Sequence, residues 1–153
     1  MTDPSVAKTL PLVSGESLMS LLMTDMDPEL LGFVQVAVDS FIKWDLVRFF
    51  DENPHVIDTA ENIMRYIGRN SEIVQSALID MSAQGILVQE HVGRLVIYSL
   101  STNPKVRNLI QRFAVASEDR QFRVKVVYHI IQALRHSEIS GAITAQQWEI
   151  SSV

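Results

Sequence analysis

His55, His91, His129 and His136, with the adjacent acid pairs Asp51-Glu52 and Glu118-Asp119, are the side chains best suited to bind a metal or move a proton. A metal site needs such ligands at short, regular spacing. These histidines are scattered and have no carboxylate partner at ligand spacing. The acid pairs fall where helices are expected to end, and solvation there accounts for them. Cysteine is absent, which removes disulfides, cysteine-bound zinc and thiol catalysis. No glycine-rich phosphate loop and no nucleophile elbow occurs. The expectation is a protein that is not an enzyme, with no metal and no cofactor.

The chain has 153 residues, 47% of them apolar and 20% charged, which suits one folded domain with a proper core, or a small domain with terminal extensions. The formal charge of −5 is unevenly spread. Residues 1–58 hold three Lys/Arg against ten Asp/Glu, whereas 101–136 hold seven against two. A local basic face can meet nucleic acid even when the total is acidic. The N-terminus, "MTDPSVAKTLPLVSGES", has no basic start followed by an apolar run, so it does not read as a signal peptide. No apolar stretch approaches the ~18 residues that a membrane span needs. A soluble, cytoplasmic protein with no membrane contact is expected.

Hydrophobic spacing places the elements. Residues 1–15 read as a flexible tail. Leu18, Leu21, Leu22 and Met26 recur at helical spacing, with Met19, Met23 and Met26 as adaptable packing. A second helical pattern starts at Pro28 or Glu29 and runs to Glu52, with or without a bend at Gly32. Its later half carries an apolar stripe of Phe41, Trp44, Leu46, Val47 and Phe50, while Asp39, Lys43, Asp45, Arg48 and Asp51 are assigned to water. "HVIDT" reads as a short strand. Asp58 or Thr59 caps the next helix, in which Ile63, Met64 and Ile67 face inward and which Gly68 closes.

Asn70 or Ser71 then caps a third helix, in which Val74, Ala77, Leu78 and Met81 form one buried face and Gly85 the end. "ILVQE" and "RLVIYSL" read as two strands of a hairpin turning at "HVG". A further helix follows Asn103-Pro104, buried along Val106, Leu109, Ile110 and Phe113. "FRVKVVY" alternates like a strand, yet Phe122 to Leu134 also fits a helical face, and length favours the helix.

The order helix, short strand, helix, tight turn, helix, hairpin over residues 41–100 resembles the winged-helix DNA-binding domain of MarR- and ArsR-type bacterial regulators. The residues carrying the resemblance are Gly68 at the turn, the Val74/Ala77/Leu78/Met81 seam, and Gly85-Ile86-Leu87-Val88 leading into the hairpin. It implies a mainly α fold with a small β-hairpin, a winged helix-turn-helix with N- and C-terminal helical extensions. The divisions are a tail at 1–15, an N-terminal helical extension at 16–40, the winged helix at 41–100, dimerising helices at 101–136 and a polar tail at 137–153.

The same resemblance implies double-stranded DNA as partner and a transcriptional regulator working as a homodimer through its terminal helices. By that analogy Arg69 and Asn70 would meet phosphate at the third helix's N-terminus, Ser71 and Ser76 would donate to phosphate or base, and Gln75 would pair with adenine in the major groove. Arg94 on the wing would enter the minor groove. The chain departs from the pattern at Ser76, Ile79 and Asp80, where such readers commonly carry Arg or Lys. Few local cations mean few neutralised phosphates, so the alternative is a winged-helix module that docks protein and does not bind DNA. Ile79 is expected to face outward, and a small-molecule effector is left unassigned.

Overall fold

The computed structural model describes residues 26–151, with the side chains of Ser71 and of 138–151 outside that description. The tail at 1–15 and the pattern at Leu18, Leu21 and Leu22 lie outside the described residues, as does the side chain of Trp148. The elements are α1 (Pro28–Ala37), α2 (Phe41–Glu52), β1 (Ile57–Thr59), α3 (Ala60–Ile67), α4 (Ser71–Ala83), β2 (Leu87–Val92), β3 (Leu95–Leu100), α5 (Pro104–Ala116) and α6 (Arg120–Ser151). The fold is mainly α with a three-stranded antiparallel sheet in the order β1-β3-β2, compatible with a winged helix.

Local chemistry explains most boundaries. Asp27 caps α1 by accepting from the Glu29 amide at 2.8 Å, with Pro28 preset for the first helical turn. The pattern running on to Glu52 is not one helix. It breaks at Val38–Ser40, where the Ser40 hydroxyl accepts from the Lys43 amide and starts α2 anew, while Gly32 sits inside α1 without breaking it. Thr59 caps α3, and Asn70 caps α4 by accepting from the Glu72 amide at 2.9 Å. Gly68 ends α3 at φ 69°, a left-handed conformation that costs a β-carbon dearly. The hairpin turns on Gly93-Arg94 between the paired Val92 and Leu95, with a positive φ at Gly93 and none at Arg94, as a type II′ turn requires.

A continuous core joins these parts. Val74, Ala77, Leu78 and Met81 of α4 share one buried cluster with Leu46, Val47 and Phe50 of α2, Ile63 of α3 and Tyr98 and Leu100 of β3. Phe113 of α5 lies edge-on to Phe33, Trp44 and Phe122, with ring centroids 5.7, 6.2 and 5.6 Å away. Four helices therefore meet at one ring, and the helices flanking residues 41–100 belong to the same core. The α2 stripe is shifted from the expected one: Phe49 is buried and Phe41 is exposed. Phe122 to Leu134 is helical, anchored by Phe122, Val126 and Ile130. The helix continues through the segment expected as a polar tail, to Ser151. No helix among the described residues is long and apolar enough to cross a membrane.

Candidate functional site

Burying Val74, Ala77, Leu78 and Met81 decides what α4 shows outward. Glu72, Ile73, Gln75, Ser76, Ile79 and Asp80 are exposed, Ile73 at 53% and Ile79 at 44%. The outward face therefore carries two carboxylates, two large aliphatic side chains and no cation.

The cations around it are held from within. Arg69 donates through Nε at 3.1 Å and Nη2 at 2.9 Å to Oδ2 of Asp45, tying the entry of α4 to α2. Lys43, assigned to water from its spacing, is instead 5% exposed and lies between Asp39 at 3.0 Å and Asp80 at 3.5 Å. An ammonium stripped of water is tolerated only where carboxylates replace its hydration, and both partners here keep one side in solvent. The bridge fastens α4 to α2 and answers the Asp80 charge. Asn70 is likewise committed, its Oδ1 serving as the cap.

The six residues expected at the interface separate into three places. Arg69, Asn70 and the backbone of Ser71 cluster at the start of α4. Gln75 shares a cleft with Arg94, Glu61 and Tyr98 between α3, α4 and the hairpin. Ser76 faces the other way, into a groove with Asp39, Lys43, Glu72, Ile73, Asp80 and Leu134. Arg94 is exposed at the hairpin turn and makes no ion pair among the described residues.

Three of the seven cations of the basic 101–136 segment are engaged within the fold. Arg112 pairs with Asp27 at 2.7 Å and Glu29 at 3.4 Å. Arg107 donates to the Ser101 carbonyl, and Arg123 donates to the carbonyls of Ser117 and Glu118 at the end of α5.

Among the described residues, three groups have displaced pKa values. Burial, then the neighbouring Glu52, raises the Asp51 carboxyl. Burial raises the Tyr98 phenol against the hydrogen bond from Gln89. Burial lowers the His129 imidazole, with Asp39 and the Val34 backbone pulling the other way, and its Nε2 has no hydrogen-bond partner. Asp51 borders an open cleft between α2 and α5, with Trp44, Val47, Phe113 and Glu118. Among the described residues, no group of three His, Asp or Glu is placed to hold a metal ion.

Sequence reasoning missed Lys43. The Asp39–Lys43 spacing of four residues was the available signal, since it places the two side chains on one helix face. The second partner, Asp80, is thirty-seven positions away and left no local trace. Compared with known proteins, the chain matches no family model and no curated protein sequence.

Proposed function

We propose that residues 41–100 form a winged-helix module, and that the outward face of α4 docks a protein partner. The supporting observation is the fate of the nearby cations: Arg69 is held by Asp45, and Lys43 by Asp39 and Asp80. What α4 offers is Glu72 with Ile73 and Ile79, a face that repels phosphate and suits an apolar contact. Homodimerisation belongs to the same proposal, supported by the exposed apolar residues of α6, Val124, Ile131 and Leu134.

One observation favours the second reading, a DNA-binding regulator. Gln75 and Arg94 border a single cleft, where an amide could pair with adenine while the guanidinium met the backbone or minor groove. Fluorescence anisotropy with a random duplex, from about 50 mM salt upward, separates the two. The docking reading expects no measurable duplex binding and no effect of Arg94→Ala or Arg69→Ala. Binding that weakens with salt and is lost in Arg94→Ala would replace it with the DNA reading.

A further inference from the structure

The outward surfaces of α4 and α6 are opposite in charge, and they meet. From Ser71 to Ala83 the chain carries two carboxylates, Glu72 and Asp80, and no Lys or Arg. Along α6 the four cations Arg120, Arg123, Lys125 and Arg135 all precede the helix's two carboxylates, Glu138 and Glu149. Both surfaces are apolar between their charges. Val124, Val127, Ile131 and Leu134 recur at i, i+3, i+7 and i+10, the spacing of a helix–helix seam. They lie off the Phe122/Val126/Ile130 face that anchors the helix, with Val124 at 53% and Leu134 at 46% exposure. Leu134 also lines the groove holding Ile73, Ser76 and Asp80, so groove and seam form one continuous surface.

Charge decides which occupant suits that surface. Two α6 seams meeting alone would bring cations together, and two α4 faces meeting alone would oppose carboxylates. Setting α6 of one copy beside α4 of another satisfies both signs, and a two-fold axis makes the contact twice. The chain's own segment at 16–26 carries Glu16 and Asp25 and no Lys or Arg, so it answers the α6 cations but opposes the α4 carboxylates and satisfies one sign only. We infer that this surface is a two-fold interface between copies of the chain, in which the α6 seam packs against the partner and the exposed Arg120 and Arg135 face the partner's Glu72. The inference rests on α4 as a protein-docking face and names a second copy as the protein docked there.

Sedimentation equilibrium of the full chain tests it with two charge variants at exposed positions that make no side-chain bonds among the described residues. Glu72→Lys/Ser76→Lys reverses the α4 side, and Arg120→Glu/Arg135→Glu reverses the α6 side. The native chain is expected to be a dimer. Each variant alone should dimerise roughly tenfold more weakly or worse, and an equimolar mixture of the two should regain native strength. Complementation in the mixture is a result that misfolding cannot imitate. Leu134→Glu should also dissociate the dimer. A monomeric native chain, charge variants that dimerise like the native chain, or a mixture that fails to recover would each overturn the inference. A dimer broken by Leu134→Glu but indifferent to both charge reversals overturns it while leaving α4 free to dock another protein. Duplex binding abolished by Gln75→Ala and Arg94→Ala would instead sink the docking reading itself.

Discussion

The two flanks of α4 treat a nearby cation in opposite ways. On the α2 flank, Lys43 is buried between Asp39 and Asp80, and Arg69 is tied to Asp45. On the hairpin flank, Arg94 stands in solvent beside Gln75, without an ion pair among the described residues. The first flank spends its charge on joining helices, and the second leaves a polar cleft open. A face is therefore not characterised by how many cations lie near it in sequence. What matters is how many remain once the fold has taken its share.

Substitutions should separate the flanks by size of effect. Leu78 is fully buried in the seam that both flanks share, so Leu78→Ala should lower unfolding stability by about 2–5 kcal/mol in denaturant titration. A smaller loss would mean that α4 is less firmly seated than its burial suggests. Lys43→Ala acts on the α2 flank alone, leaving Asp39 and Asp80 facing each other over a gap. Its cost should be about 2 kcal/mol, below that of a fully buried pair because both carboxylates keep solvent contact.

The half-buried His129 sits against the same region and gives it a pH signature. Its folded-state pKa lies below the ordinary 6.5, so the unfolded chain takes up the proton first. Stability should fall as pH drops through 6.5 and be insensitive to this group well above it. His129→Gln should flatten that part of the profile, and an unchanged profile would remove His129 as the cause. At the small end, Arg69→Ala should cost about 0.5 kcal/mol, diminishing with salt, since the pair is partly exposed. Arg94→Ala should stay within about 0.5 kcal/mol of native stability, because its exposed side chain makes no ion pair among the described residues. Equal losses for the two arginines would erase the contrast between the flanks.

How much of this was legible in the sequence depends on the range of the interaction. Thr59, Gly68, Asn70 and Gly85 declare their roles within three or four residues, and the α4 seam shows directly in its spacing. The break at Val38–Ser40 was hidden because the apolar pattern runs straight through it, and only the Ser40 cap gives it away. Lys43 was misplaced, and the pairing of Arg69 unforeseen, for one reason: Asp80 and Asp45 lie far from them in the chain. Pairing of that kind is a property of the packed helices and leaves no mark in local spacing. Gln75 and Ser76 are neighbours in the chain and face different clefts, which follows from the 100° turn between successive helical residues.

The carboxylates of Asp39, Asp45 and Asp80 answer the cations beside α4, and releasing one of those cations shows what that pairing withholds from phosphate. Asp45→Asn frees Arg69, and Glu72→Gln removes the nearest repulsion. In duplex anisotropy at about 50 mM salt, the native chain should show no binding and the double variant should acquire salt-sensitive binding. A native chain that already binds duplex, with the double variant no tighter, would contradict the account.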